Sequence, residues 1–144
     1  MRVQFPAGST CKFVEVDAAI VDLDGTMVDT IGDFAEAITR MLADLQLPNL
    51  PASKVEHMVG KGTEHLLRSV LAYVLTQSGH PAQGLEDAVQ ALFATALARY
   101  EHHYIAINGA HSAVYVGVKE GLQALKDAGL RLACVTNKPM SFTR

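Results

Sequence analysis

The chain has 144 residues, of which 49% are hydrophobic, so it can bury roughly 68–70% of its unfolded surface, which excludes intrinsic disorder. Its net charge is −3, and without a block of Lys or Arg residues there is no electrostatic case for nucleic acid or a membrane surface as partner. No stretch approaches the roughly 18 apolar residues of a membrane span, and the first residues lack the apolar region of a secretory signal, so we expect a cytoplasmic protein.

The N-terminal part of the chain is predicted to hold little regular structure. Pro6, Gly8 and Ser9 favour a loose extension over residues 1–12. After it, Phe13–Val16 is predicted as a short edge strand.

A strand followed by two carboxylates is the most informative feature of the sequence. The apolar run that opens Ala18–Leu23 is too short for a helix and rich in β-branched residues, which is typical of a strand buried on both faces of a parallel sheet. Because side chains alternate along a strand, Asp22 and Asp24 share a face at its carboxyl end, where open α/β sheets bind ligands. Gly25 permits an unusual φ, and Thr26 offers a hydroxyl and an amide to phosphate oxygens.

This pattern suits phosphoryl chemistry. One carboxylate can attack phosphorus, while its partner protonates the leaving oxygen and later deprotonates water. Two carboxylates repel a phosphate, so a cation is needed, and Mg²⁺ is suited to oxygen ligands of this kind. A solvated turn and a calcium-binding loop are the alternatives for a five-residue pattern.

A long helical segment is predicted next. Its first helix has Thr30 as N-cap with Asp33 in the capping-box position, and a second capping box is Ser53–Glu56. Thr63 is predicted to cap a third helix, and Leu85–Tyr104 forms a fourth. A connection so much longer than the usual dozen or so residues is expected to be a domain of its own. The predicted apolar stripes are Ile31, Phe34, Ala35, Ile38, Met41, Leu42 and Leu45, then Leu66, Leu67, Val70, Leu71 and Val74, then Ala88, Val89, Leu92, Phe93, Ala96, Leu97 and Tyr100.

A glycine-flanked lysine lies between two of these helices. In Gly60-Lys61-Gly62, the loop can bring a cation and backbone amides towards an anion. The alternative is an interhelical turn with a solvated lysine.

A second strand-end motif follows the helical segment. A helix over Val116–Ala128 leads into a strand over Leu130–Val135. Thr136 and Asn137 then supply a hydroxyl and an amide that can donate to a phosphoryl oxygen without adding charge. The alternative is hydrogen bonding of these side chains to the strand-end backbone.

Two other residues near this motif are given structural roles. Cys134 lies within the apolar strand and is interpreted as a core thiol, since two cysteines make no disulfide framework. Lys138 is interpreted as an exposed turn cation before Pro139.

The six histidines show no metal-binding spacing and are expected at the surface.

Taken together, the two motifs resemble the haloacid dehalogenase superfamily of phosphohydrolases. The string Asp22–Thr30 is similar to the first motif of its phosphoglycolate phosphatase branch, and Leu132–Pro139 is similar to the second motif. The resemblance implies an α/β fold with a Rossmann-like core and an inserted α-helical cap domain. The core would comprise residues 1–28 and 110–144, with about two parallel strands, and the cap residues 29–109.

The resemblance also implies an activity. Asp22 would be the nucleophile and Asp24 the general acid and base in hydrolysis of a small phosphomonoester similar to 2-phosphoglycolate. Mg²⁺ would be held by Asp22 and the backbone carbonyl of Asp24. Thr136 and Asn137 would bind phosphoryl oxygens with Gly25 and Thr26, and the loop carrying Lys61 would help to choose the substrate.

The third and fourth motifs of the superfamily have no counterpart in this sequence. We therefore expect a truncated core that holds Mg²⁺ weakly, has little or no activity, and associates with itself through exposed sheet edges. The alternatives are a sugar phosphomutase of the same superfamily and a non-catalytic binding or oligomerising fragment.

Overall fold

The computed structural model describes residues 1–7 and 10–143, and the chain divides into two compact units. The first unit comprises residues 1–28 and 114–136, and the second comprises residues 29–113 with the segment from residue 137 onward. In chain order the elements are β1 (Arg2–Ala7), β2 (Thr10–Glu15), β3 (Ala18–Val21), β4 (Val28–Asp29), α1 (Ile31–Asp44), α2 (Ala52–Glu56), α3 (Thr63–Gln77), α4 (Leu85–Ile107), β5 (Ala113–Val114), α5 (Val118–Asp127), β6 (Arg131–Cys134) and α6 (Met140–Thr143).

The first two strands form an antiparallel pair. β1 and β2 pair antiparallel, with Arg2 opposite Glu15 and Ala7 opposite Thr10. The predicted loose extension over residues 1–12 is therefore wrong. Polar and apolar residues alternate over residues 2–5 and 10–13, and this period of two favours paired strands over a coil. Gly8 and Ser9, on which the prediction partly rested, lie outside the described residues.

A parallel strand pair forms the centre of the first unit. β3 lies beside β6, with Ala18 opposite Arg131 and Val21 opposite Cys134. The backbone N–H of Val135 donates to the carbonyl of Val21 at 3.1 Å, so the pairing continues one residue beyond the strands. The two predicted strands are thus adjacent and parallel, although each is shorter than the sequence indicated.

The predicted burial of this pair on both faces is wrong. Ile20 is 70% exposed and Val135 is 61% exposed, whereas Val21 and Leu132 line a cavity of about 540 Å³ together with Leu122 of α5. In the part of the chain that the structure describes, α5 is the helix that packs on β6, so one face of the pair remains open to solvent. Cys134, which lines the same cavity as Val21 and Leu132, is nevertheless an exposed cysteine and not the predicted core thiol.

The second unit is a helical domain with its own core. Helices α1, α3 and α4 pack together, and the predicted stripes of α1 and α3 supply most of the fully buried side chains. α4 contributes two stacked tyrosines, Tyr100 and Tyr104, whose ring centroids are 5.4 Å apart. The buried hydrophobic residues of these three helices are Phe34, Ala37, Ile38, Met41, Leu42, Leu66, Leu67, Val70, Leu71, Val74, Val89, Ala96, Tyr100, Tyr104 and Ile107.

The helices begin close to the predicted positions but without the predicted caps. Thr30 precedes α1 and makes no side-chain capping hydrogen bond; instead, the amide of Ile31 donates to the Asp29 carboxylate at 3.2 Å. Ser53 lies inside α2, which begins after Pro51. The predicted capping boxes are therefore wrong, and Thr63 is the first residue of α3, not its cap.

The Asp33 carboxylate does not cap α1 but accepts hydrogen bonds from a distant part of the chain. It is fully buried and accepts hydrogen bonds from the backbone amides of Gly109 at 2.8 Å and His111 at 2.7 Å, and from the hydroxyl of Ser112. Burial alone would raise the pKa of Asp33, but the hydrogen bonds from Ser112, His111 and Gly109 outweigh it and hold that pKa below its ordinary value. Asp33 thus fastens the start of α1 to the chain that leaves α4.

The C-terminal segment also belongs to the helical unit. Phe142 is 7% exposed and meets the Tyr104 ring edge-on at a centroid distance of 4.8 Å. Asn108 donates its side-chain amide to the carbonyl of Phe142 at 3.0 Å. The ammonium of Lys138 lies 5.6 Å from the ring centroid of Phe34 and 5.4 Å from that of Tyr104. Lys138 is therefore half-buried over aromatic rings, and the predicted exposed turn cation is wrong.

Candidate active site

The first acidic motif follows the end of β3. Asp22 is exposed, and one of its carboxylate oxygens accepts a hydrogen bond from the amide of Leu23 at 2.8 Å. Asp24 is half-buried and forms an isolated bridge with Val28. The carbonyl of Leu23 accepts from the amides of Met27 at 2.9 Å and Val28 at 3.0 Å. The carboxylates therefore lie on a hydrogen-bonded turn directly after the strand.

Gly25 and Thr26 complete this turn. Gly25 has a φ of +73°, which L-residues with a side chain rarely adopt, and a Cβ there would meet no atom within 4 Å. The glycine is thus required by its backbone conformation and not by crowding. The amide of Thr26 donates to Leu23 at 3.3 Å, so the turn uses the amide that was predicted for phosphate, whereas the Thr26 side chain is exposed.

Thr136 lies at the same edge of the first unit. Because β3 and β6 are parallel and in register, the residues after both strands leave the sheet at the same end. The hydrogen bond from Val135 to Val21 places Asp22 beside Val135, one residue before the half-buried Thr136. Asp22, Asp24, Gly25, Thr26 and Thr136 therefore lie in the same unit, on the two segments that leave its parallel strands at one end.

Lys61 and Asn137 belong to the helical unit. Lys61 is exposed, between Gly60 with a φ of +109° and Gly62 with a φ of +87°. The side-chain amide of Asn137 donates to the carbonyl of Gly60 at 3.0 Å. The Asn137 amide, predicted to donate to a phosphoryl oxygen, has a backbone carbonyl as its acceptor in this structure.

The acidic motif has the oxygen donors that Mg²⁺ accepts. Within residues 1–7 and 10–143 no group of three or more His, Cys, Asp and Glu side chains could hold a metal ion. Mg²⁺ usually keeps several waters and binds through one or two carboxylates plus substrate phosphate. Asp22 and Asp24 supply the one or two carboxylates that such a site requires.

Sequence reasoning missed the role of Asp33. It was assigned to a local cap, although it lies directly before Phe34 in the apolar stripe of α1 and is as buried as that stripe. An acidic residue beside an apolar stripe is a signal that sequence alone offers, because a buried carboxylate requires hydrogen-bond donors.

Comparison with known proteins identifies the class. The model of the haloacid dehalogenase-like hydrolase family matches residues 16–144, and the chain belongs to this family. A phosphoglycolate phosphatase of Cupriavidus necator, described as plasmid-encoded, is 44% identical over 125 residues, which cover 87% of this chain and 49% of that protein. The phosphoglycolate phosphatase of Thiobacillus denitrificans is 38% identical over 128 residues, which cover 89% of this chain and 52% of that protein.

Solved structures agree with this assignment. A predicted phosphoglycolate phosphatase from Haemophilus somnus is 31% identical with a TM-score of 0.74, covering 86% of this chain and 52% of that one. A second, from Lactobacillus delbrueckii, has the same TM-score of 0.74 at 24% identity and covers 85% of this chain and 55% of that one, which supports the fold. The predicted family and α/β fold class are confirmed. The chain spans about half the length of the curated relatives it matches.

No helix within the described ranges combines the length and hydropathy that a membrane crossing needs. The cytoplasmic location stays a prediction.

Proposed function

We propose that this chain carries the nucleophile of a phosphatase that hydrolyses a small phosphomonoester similar to 2-phosphoglycolate. The observation that carries the proposal is the placement of Asp22 and Asp24 on one turn at the carboxyl end of β3, beside the strand end that leads to Thr136. Membership of a hydrolase family and relatives named phosphoglycolate phosphatases support the same reaction class and substrate.

In the proposed reaction Asp22 attacks phosphorus. Its hydrogen bond from the Leu23 amide fixes the carboxylate, so that the other oxygen can form the new bond while the bond from phosphorus to the leaving oxygen breaks. Asp24 donates a proton to that oxygen. It then takes a proton from the water that attacks the aspartyl phosphate, which releases inorganic phosphate and restores Asp22.

The hydroxyls of Thr26 and Thr136 are proposed to donate to phosphoryl oxygens as negative charge develops there. When bound, Mg²⁺ would supply the positive charge that two carboxylates and a phosphate require, and Asp22 with the Asp24 carbonyl would hold it. In the helical unit, the exposed Lys61 is proposed to recognise the carboxylate of the substrate.

The test is formation of an acyl-phosphate mimic. Titration of the chain with beryllium fluoride and Mg²⁺, followed by ¹⁹F NMR, should give a bound signal that the Asp22→Asn variant lacks, because the variant has no carboxylate nucleophile. The Asp17→Asn variant is the matched control, since it changes an exposed aspartate before the same strand and should keep the signal. A bound signal that survives in Asp22→Asn would refute the assignment.

Product analysis separates the remaining alternatives. Release of inorganic phosphate from 2-phosphoglycolate supports the phosphatase, whereas return of the phosphoryl group to a sugar phosphate would support a phosphomutase. Absence of both the mimic and turnover would support a non-catalytic fragment.

A further inference from the structure

We infer that Asn137 is a positioning residue that holds the Gly60-Lys61-Gly62 loop for substrate recognition, and that it does not ligate the phosphoryl group. The inference rests on the proposed function and assigns to Asn137 a different role within it. It follows from the hydrogen bond between the Asn137 side chain and the Gly60 carbonyl, which joins residues 77 positions apart.

The loop itself is conformationally permissive. Two glycines with positive φ flank Lys61, and such residues lose more backbone freedom on ordering than any others. Hydrogen bonds secure the ends of the connection, from the amide of Met58 to Val55 at 2.9 Å and from the amide of Leu66 to Gly62 at 3.1 Å. The Asn137 amide reaches the middle of the connection, at the residue directly before Lys61.

Asn137 can hold the loop because its own segment is fastened to the helical core. Lys138 lies over the rings of Phe34 and Tyr104, and Phe142 is buried in the same core. A Cβ on Gly62 would lie 4.0 Å from the Cβ and the carbonyl oxygen of Asn137, so Gly62 faces Asn137 without being crowded by it. The Asn137 side chain therefore bonds to the backbone directly before Lys61, from a segment that the helical core holds in place.

Positioning of Lys61 and ligation of the phosphoryl group predict different effects of Asn137 on ligand affinity. A side chain that ligates a phosphoryl oxygen contributes to binding of any phosphate, including inorganic phosphate. A side chain that orients Lys61 contributes to binding of ligands that also carry a carboxylate. The ratio of the dissociation constants for 2-phosphoglycolate and inorganic phosphate therefore distinguishes the two roles.

The experiment uses the full chain and three uncharged variants. Asn137→Ala removes the amide donor, and Asn137→Gln retains an amide. Gln123→Ala is the matched control, because it removes another exposed side-chain amide donor, one that bonds to the Asp127 carboxylate in the first unit and has no part in holding this loop.

Hydrogen exchange of the amides of Met58 and Leu66, whose hydrogen bonds secure the two ends of the connection, is the first measurement, and it needs no activity. Asn137→Ala should raise the exchange rates by about 2- to 12-fold, which is the range that one neutral hydrogen bond contributes. Gln123→Ala should leave these rates unchanged, and Asn137→Gln should recover part of the protection. Unchanged exchange in Asn137→Ala would overturn the inference.

Ligand affinity is the second measurement, with 2-phosphoglycolate and inorganic phosphate titrated separately in the presence of Mg²⁺. Asn137→Ala should raise the dissociation constant of 2-phosphoglycolate by a similar factor and leave that of inorganic phosphate unchanged. An equal rise for both ligands, or wild-type binding of 2-phosphoglycolate no tighter than that of inorganic phosphate, would overturn the inference. Failure of the aspartyl-phosphate test would instead overturn the proposed reaction, because that test depends on Asp22 and not on this loop.

Discussion

Replacing Asp33 by Asn tests how the helical unit is held together. The carboxylate accepts from two backbone amides and one hydroxyl in a fully buried position, whereas an isosteric carboxamide offers one acceptor oxygen and an NH₂ group. At least one of the amides of Gly109 and His111 then faces another donor, although the Ser112 hydroxyl can reorient.

The expected loss of stability follows from the hydrogen bonds that the Asp33 carboxylate accepts. A hydrogen bond to a charged group contributes about 1.5–3 kcal/mol, and a buried donor left without a partner costs about 1–3 kcal/mol. We expect Asp33→Asn to lower the free energy of unfolding by roughly 2–4 kcal/mol, a large share of the 5–15 kcal/mol that is typical of native domains.

Urea denaturation at pH 7, followed by circular dichroism, measures this loss. Glu36→Gln is the matched control, because Glu36 pairs with Arg40 on an exposed part of the same helix and such pairs contribute about 0.3–0.5 kcal/mol.

The pH dependence provides an independent check. Because the pKa of Asp33 is lower in the folded state than its ordinary value of 3.8, its contribution is fully present above that value and is lost as pH falls through the folded-state pKa. The difference between wild type and Asp33→Asn should therefore be constant from pH 5 to pH 8 and shrink below about pH 4. A difference under about 0.5 kcal/mol at pH 7, or one that persists unchanged at pH 2, would refute the argument.

Three further predictions concern packing within the helical unit and the exposed face of the strand pair. Phe142→Ala should cost about 3 kcal/mol in urea denaturation, because Phe142 is buried against Tyr104, and a loss within 1 kcal/mol would contradict its place in the core. Gly32→Ala should cost about 1–3 kcal/mol in the same assay, because a Cβ there would lie 2.7 Å from the Cβ and carbonyl oxygen of His111; an unchanged midpoint would show that this contact relaxes freely. We predict that the chain associates with itself through the exposed strand pair and that Ile20→Lys, which places a charge there, reduces this association in analytical ultracentrifugation; a sedimentation profile identical to that of wild type would exclude that face as the contact.

The sequence predicted the features that depend on local periodicity. The helical stripes of α1 and α3 and the apolar runs of β3 and β6 were identified because helix and strand impose repeats that neighbouring residues reveal. The acidic turn after β3 was placed for the same reason, since it follows directly from the end of an apolar run.

Three of the errors, at Asp33, Lys138 and Cys134, concern side chains whose surroundings are set by elements distant in the sequence. Asp33 was assigned to a cap four residues long, but its donors lie 76 to 79 positions away. Lys138 was expected in solvent and instead lies over two aromatic rings from other helices. The burial of Cys134 depends on which elements cover its strand, and no pattern within one strand reports that.

The buried carboxylate of Asp33 has a topological consequence. It joins a residue near the beginning of the helical insertion to residues 109–112 near its end, so the two ends of this stretch are clamped together by contacts within the stretch itself. A segment whose ends are already close together has a small entropic cost of loop closure when it is inserted into a surface turn of another protein. The helical insertion is therefore suited to insertion into another protein. The segment that carries Phe142 would have to be supplied with it, because Phe142 belongs to the hydrophobic core of the helices.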